Sequence, residues 1–315
     1  VTTISLGPKS DCVYGRTGST KTAQVGHLAE YIHNKYGKKT RLLSADPSGW
    51  VTVDYLVEAG LIEPYQVSLA TKFPLEVVTK IAQGWWPVDP ADPNSKLERS
   101  DEKMKGIGAY AFEGMSSFSI LIMSNLLGRT DIHIPETPKE SFVKDSELRW
   151  GFSGRAHYGF IQQRIYETVT TSNHLPVHKV LWSAHETDAK DQQKRQIYGP
   201  AIIGEALTGV CGAWFGALLH MQPISVEAEI DDPVNKGRKV KTFKQVPIMW
   251  LREHIDPNDP YKTPYIAKPR GPSMFWQEWP DTMEPNVRKL YEKLDEQTAR
   301  AVAAVREKQK VSVAK

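Results

Sequence analysis

The patterned part of the chain begins with a short apolar run, Cys12, Val13 and Tyr14, that enters a turn rich in Gly, Ser and Thr. Apolar residues then return at Val25, Leu28, Ala29 and Ile32, the spacing of one face of a helix, and Gly37 is placed to stop it. "TRLLSAD" (40–46) reads as a second strand, broken by Pro47 and Gly49. The opening order is therefore strand, glycine-containing loop, helix, strand. From 53 to 81 the spacing is helical but interrupted, and 86–105, rich in Pro, Asp and Lys, predicts an exposed excursion. "IGAYAFEG" (107–114) predicts a third strand, and "SSFSILIMSNLLG" (116–128) a helix capped by Ser116 or Ser117. A long irregular loop is expected over 129–159, then a helix over 160–175. "HKVLWSAHE" (178–186) and "GAWFGALLHMQ" (212–222) predict a fourth and a fifth strand. The texture then changes. "SVEAEI" and "VKTFKQVPIMWL" read as two strands across the turn "DDPVNKGRK", and a charged helix follows from 287. The simplest organisation is one α/β domain over 1–285, its C-terminal β-hairpin included, and a charged helix over 286–315.

Composition narrows the picture. The 315 residues, 40% of them hydrophobic, suffice for a large core. A net charge of +3 excludes an overwhelming general attraction to nucleic acid, so local basic patches would have to supply it. Two cysteines cannot build a disulfide framework, and both Cys12 and Cys211 sit in apolar or small-residue surroundings that predict packing. No apolar run approaches the ~18 residues of a membrane span. A soluble, cytoplasmic protein is expected.

"GRTGSTKT" (Gly15, Arg16, Thr17, Gly18, Ser19, Thr20, Lys21, Thr22) nearly matches a phosphate-binding loop, Gly-x4-Gly-Lys-Ser/Thr, with Thr20 in place of the second glycine. In such a loop, backbone N–H groups and the helix N-terminus receive phosphate. Lys21 would reach the outer phosphates and the Thr22 hydroxyl would ligate Mg²⁺. A side chain at Thr20 crowds that backbone. It fits where φ is negative and Gly18 supplies the sharp turn. The alternative is a helix capped at Ser19 or Thr20 with Lys21 in solvent. Glu113, ending the third strand, is the candidate to organise the metal, and Asp46, ending the second, to polarise an attacking water. The "WSAHE" segment brings Ser183, His185 and Glu186 to the end of the fourth strand. His185 is the candidate γ-phosphate sensor, since it lacks the paired spacing of a metal ligand. Lys268 and Arg270 flank a proline in "AKPRGP"; locally they read as exposed cations, while an arginine supplied across a subunit boundary can stabilise phosphoryl transfer. The turn cations Lys236, Arg238, Lys239 and Lys241, and the group Arg155, His157 and Tyr158, are candidate DNA contacts.

In their order these pieces resemble the RecA-like branch of P-loop ATPases. "GRTGSTKT" resembles its phosphate loop, "SAD" the segment of its catalytic carboxylate, "FEG" that of its Mg²⁺-organising acid and "SAHE" that of its γ-phosphate sensor. "AKPRGP" looks like the Lys-x-Arg element that hexameric helicases and RadA-type recombinases extend into a neighbour's site. "WSAHE" with "YGPAIIGEAL" (198–207) is similar to phage-encoded, core-only RecA-like proteins. The resemblance covers roughly 10–275. It implies a mainly parallel sheet flanked by helices, ATP and Mg²⁺ as cofactors, a homo-oligomeric ring or filament, and single-stranded DNA as partner in phage recombination or annealing. A helicase or DNA-packaging motor is an alternative. A structural virion-associated protein with a vestigial loop is another. Thr20, and Glu113 where Asp is usual, are departures that bear on hydrolysis and on metal geometry.

Overall fold

The computed structural model describes residues 9–46, 49–127, 155–190, 193, 195–202, 207–231, 239–256, 261–268 and 277–313. Six strands run parallel: β10 (Leu218–Asp231), β1 (Ser10–Gly15), β7 (Lys179–Ala184), β6 (Ile107–Glu113), β2 (Lys39–Ser44) and β3 (Ile62–Gln66), side by side in that order. β11 (Lys239–Trp250) adds antiparallel to β10, and the short β14 (Thr282–Met283) antiparallel to β11. The fold is mixed α/β, a large and mostly parallel sheet flanked by helices. A second sheet, β12 (His254–Ile255), β13 (Pro264–Tyr265), β9 (Gln196–Pro200) and β8 (Glu186–Lys190), contacts the first through β1 and β9. β4 (Trp86–Pro87) and β5 (Leu97–Glu98) form a two-stranded pair.

Strand alternation builds a core on each face of the sheet. Cys12, Tyr14, Tyr110, Phe112, Val180 and Trp182 point to one face. There they meet α3 (Pro74–Ala82), α5 (Met115–Leu127) and α6 (Arg155–Ser172). Val13, Leu42, Ala109, Ala111 and Leu181 point to the other, against α1 (Lys21–Tyr36), α2 (Asp54–Glu58) and α7 (Val287–Val313). The small residues of β6 explain its weak strand signal: they let α1 lie close. A Cβ on Gly108 would stand 2.5 Å from Ile32 Cγ2, so a side chain there would push the helix away.

Several expected elements take a different form. β3, "IEPYQ", lies inside the stretch whose spacing suggested helix; as the last strand of the sheet it tolerates Pro64. The 86–105 excursion carries a strand pair and α4 (Asp101–Lys105), with Trp86 buried in a T-shaped contact with Tyr110. α5 begins at Met115, after Gly114 at φ 88°, so Ser116 and Ser117 lie in its first turn and cap nothing. The fourth-strand segment continues past His185 as β8. The two segments on either side of Pro223 form one strand, β10. Pro223 lies opposite Pro247, beyond Met221 where β1 stops pairing and beyond Met249 where β14 stops. Neither proline therefore removes a ladder bond to a third strand. The expected hairpin and the C-terminal helix are present. Among the described residues no helix is long and apolar enough to cross a membrane.

Candidate functional site

The carboxyl ends of β1, β2, β6 and β7 share one edge of the sheet, where α/β folds place ligands. β1 runs into the loop at Gly15, which cannot be larger: a Cβ there would stand 2.2 Å from the Met221 carbonyl oxygen of β10. Arg16, Thr17 and Gly18 are exposed, and Ser19 and Lys21 are buried. Lys21 Nζ donates to the carbonyls of Gly15 (2.9 Å) and Arg16 (2.7 Å) and lies 3.4 Å from Ser19 Oγ. The lysine thus threads the loop instead of reaching into solvent. Burial lowers its pKa, while Glu113, Asp46 and Glu186 pull it back.

Thr20 has φ 66° and ψ 22°, a left-handed conformation, so the expected negative φ does not hold. Gly18, at φ 79°, makes the other left-handed step. The Thr20 side chain makes no capping bond, and the first turn of α1 carries no acidic residue. The N–H groups at the head of α1 are left for an anion.

Thr22 Oγ1 donates to Glu113 Oε1 at 2.8 Å. Glu113 Oε2 is buried without a hydrogen-bond partner. Burial raises the Glu113 pKa, against the hydroxyls of Ser183 and Thr22. The Ser183 hydroxyl lies near enough to act on this carboxyl but outside hydrogen-bond geometry with Oε2. A buried carboxyl oxygen so placed, beside a threonine hydroxyl at the lip of the loop, fits a hydrated Mg²⁺: hard, oxygen-ligated and reluctant to shed its water. Among the described residues no group of three or more His, Cys, Asp and Glu could hold a metal ion, so any metal here would depend on oxygens of its ligand.

Asp46 lies against the start of α5. Ser117 Oγ donates to its Oδ1 at 2.5 Å, and a Cβ on Gly114 would stand 3.2 Å from its carboxylate. The Gly114 N–H donates to Ser183 Oγ at 2.9 Å. The His185 N–H donates to Ser116 Oγ at 3.1 Å, and that hydroxyl donates to the Ala201 carbonyl at 2.7 Å. The first turn of α5 therefore ties three strand ends together. The His185 pKa is lowered by burial first and then by the Lys21 charge. Asp46, Glu113 and Lys21 stand close enough to act on one another's charge, and His185 feels Lys21 and Asp46.

The remaining candidates are elsewhere. The Lys268 backbone pairs with Leu218 in both directions (2.9 and 3.0 Å), and Leu218 is in register with Cys12, three residues before the loop. Lys268 is thus set back from the loop of its own chain. Arg270, Lys236 and Arg238 lie outside the described residues, as does the side chain of Arg155, the first residue of α6. Lys241 and Lys239 form exposed ion pairs with Glu227 (2.6 Å) and Glu229 (4.0 Å) across the β10–β11 ribbon. His157 is 3% exposed, which removes it as a surface contact for DNA, while Tyr158 is exposed.

Sequence reading missed Ser117 as the partner of Asp46. It also missed Gln24, whose side chain bonds the Pro285 carbonyl (2.9 Å) and the Val287 N–H (3.0 Å) and so fastens α7 one turn from the loop. The partners of Glu186 were missed as well. Its Oε1 accepts from Arg16 Nε at 2.7 Å and its Oε2 lies 3.1 Å from His220 Nε2.

No protein-family model matches the chain, and no curated protein matches it. Among solved structures it is similar to a KaiC-like protein from the hyperthermophilic archaeon Pyrococcus horikoshii OT3. That similarity has 9% identity and a TM-score of 0.33, and covers 83% of this chain and 89% of that one.

Proposed function

We propose that the chain binds a nucleoside triphosphate with Mg²⁺ at the Gly15–Thr22 loop and hydrolyses it. The observation that carries this is the pairing of Thr22 with Glu113, whose second oxygen is buried and unbonded. The Thr22 and Ser183 hydroxyls offset only part of the cost of burying this carboxyl group, and a bound cation would offset the rest. The buried Lys21 and the uncapped head of α1 add the anion side of the same site.

Each group then has a role. Loop N–H groups and Lys21 take the phosphates. Thr22 and Glu113 hold Mg²⁺, which when bound neutralises charge on the phosphate oxygens. Asp46, one oxygen engaged by Ser117, orients a water with the other. His185 would meet the terminal phosphate. Lys268 and Arg270 would serve the loop of a neighbouring subunit, and single-stranded DNA would be the partner that stimulates turnover.

The test is ATP binding by calorimetry and hydrolysis by phosphate release, with and without Mg²⁺ and single-stranded DNA, for wild type, Lys21→Ala and Glu113→Gln. Mg²⁺-dependent binding is expected in wild type. Lys21→Ala should weaken it at least about tenfold, the loss of roughly one charge-assisted hydrogen bond, and Glu113→Gln should abolish the Mg²⁺ dependence. A folded wild type that binds no nucleotide would overturn the proposal, and the vestigial loop of a structural protein would take its place. Turnover indifferent to DNA would remove the DNA partner alone.

A further inference from the structure

Beside the phosphate loop runs a line of four side chains, ending on a backbone carbonyl, that the hydrolytic constellation does not use. Arg16 Nε donates to Glu186 Oε1 (2.7 Å). Glu186 Oε2 faces His220 Nε2 (3.1 Å), His220 Nδ1 faces His254 Nε2 (3.2 Å), and His254 Nδ1 faces the Arg252 carbonyl (3.3 Å). His220 is fully buried on β10, in register with Tyr14, the residue before Gly15. Aromatic rings fix both imidazoles: Tyr14 and Tyr265 lie 4.8 and 4.3 Å from the His220 ring, and Trp250 stacks on His254 at 3.8 Å. The charged and titratable groups facing the pair are Glu186, Arg16, Asp256, Tyr14 and Tyr265, and Gln222 Nε2 donates to Asp256 at 3.0 Å.

Counting protons gives the line a direction. A carboxylate only accepts, so the His220 proton sits on Nε2, pointed at Glu186. In a neutral ring this leaves a lone pair on Nδ1, which must accept from His254 Nε2–H. A neutral His254 then has a bare Nδ1 facing a carbonyl, and two acceptors make no bond. With both rings neutral, two protons serve three links. The two links nearest the loop are made, and the one at Arg252 is open. Burial, the largest effect on either ring, favours this neutral state, more than offsetting the pull of Glu186 on His220.

We propose that Glu186, His220 and His254 are a positioning relay of fixed polarity, both N–H groups directed toward the loop, that holds Arg16 at its mouth and so sets the loop's affinity for nucleotide phosphate. The affinity half rests on the proposed nucleotide site; the polarity half does not. Arg16 is anchored through Nε, on a side chain 69% exposed. A guanidinium held that way stays beside the loop, where a free arginine would spread over many rotamers.

The experiment pairs two readouts on wild type, Glu186→Gln, His254→Phe, Arg16→Ala and the double variant Arg16→Ala/His254→Phe. Phenylalanine keeps the stack on Trp250 and removes the ring nitrogens. The first readout is ¹⁵N NMR of histidine and arginine side chains at neutral pH. His220 is expected as the Nε2–H tautomer, with an Arg16 Nε–H protected from exchange and lost in Glu186→Gln. An Nδ1–H tautomer, or an Arg16 signal unchanged in Glu186→Gln, overturns the relay. The second readout is Mg²⁺–ATP affinity. His254→Phe is expected to weaken binding severalfold in wild type and to have no effect once Arg16 is alanine, because the relay acts only through Arg16. Additive losses overturn it. If wild type binds no nucleotide, the nucleotide reading falls and the NMR outcome alone decides the relay.

Discussion

Thr20 holds a backbone conformation that a β-branched L-residue enters at a cost of roughly 1–2 kcal/mol, because its Cβ crowds the following carbonyl. Nothing at its own position repays this, since the Thr20 hydroxyl is buried without a hydrogen-bond partner. The chain geometry before it does: Gly15 is clamped against Met221, and α1 must start at Lys21 for that lysine to reach the Gly15 and Arg16 carbonyls. Replacing Thr20 by glycine is therefore expected to raise stability by about 1 kcal/mol, read as an upward shift of a few degrees in the melting temperature. A lower melting temperature would mean that the threonine methyl packs better than its strained backbone suggests. The sequence made the problem at Thr20 visible but not its solution. A loop pattern names residue types, whereas the sign of φ is set by where the flanking strand and helix stand. The nearness of Glu113 and Asp46 was legible because strand ends in a parallel sheet share an edge. Ser117 and the histidine relay were not, because serine at a helix start signals a cap, and His220 and His254 lie 34 residues apart in no recurring pattern.

At the level of elements, the closeness of α1 to β6 decides the aim of the loop. Gly108, Ala109 and Ala111 clear the space, and α1 fills it with Leu28 and Ile32. Gly108→Ala should cost about 1–3 kcal/mol by overpacking, measurable in urea unfolding, with a smaller loss expected only if Ile32 and Lys38 move aside. The same packing explains why β6 was recognisable despite its composition: small residues faced one helix layer while Tyr110 and Phe112 supplied the other core. β3 was not recognisable, since "IEPYQ" shows neither alternation nor a continuous apolar run. Its pairing comes from β2 alone, a tertiary fact. Pro223 divided β10 in sequence for a related reason. A proline disrupts a strand only where a neighbour needs its N–H, and the neighbours end before it.

Across the whole molecule, buried titratable groups set a pH dependence of stability. His185, His220 and His254, half-buried or buried, have lowered pKa values, with burial the first cause in each, and His254 falls to about 4. Unfolded, these imidazoles titrate near 6.5. As pH falls below that, the unfolded chain takes up protons that the folded one refuses, and stability declines until the folded values are passed. Glu113 works the other way: its raised pKa contributes stability below the unfolded carboxylate range and loses it as pH rises through the folded value. Three imidazoles against one raised carboxyl should make the melting temperature fall steadily between pH 7 and about pH 4, and His254→Phe should flatten part of that slope. A profile level over this window would mean that the rings are solvated.

The clip between α1 and α7 bears on the order of events during synthesis. Gln24 finds its partners at Pro285 and Val287, and the Tyr31 hydroxyl donates to Asp295, so the helix that carries Lys21 is completed by side chains 261–264 positions later. A ribosome delivers those residues long after the loop. Until they emerge, the apolar face that α1 turns toward Leu290, Tyr291 and Leu294 has nothing to cover it. The nascent chain would then carry an assembled strand and loop with an unfinished back, at a stage when transiently exposed apolar surface invites association. Competence at the loop would wait until residues 285–295 had emerged.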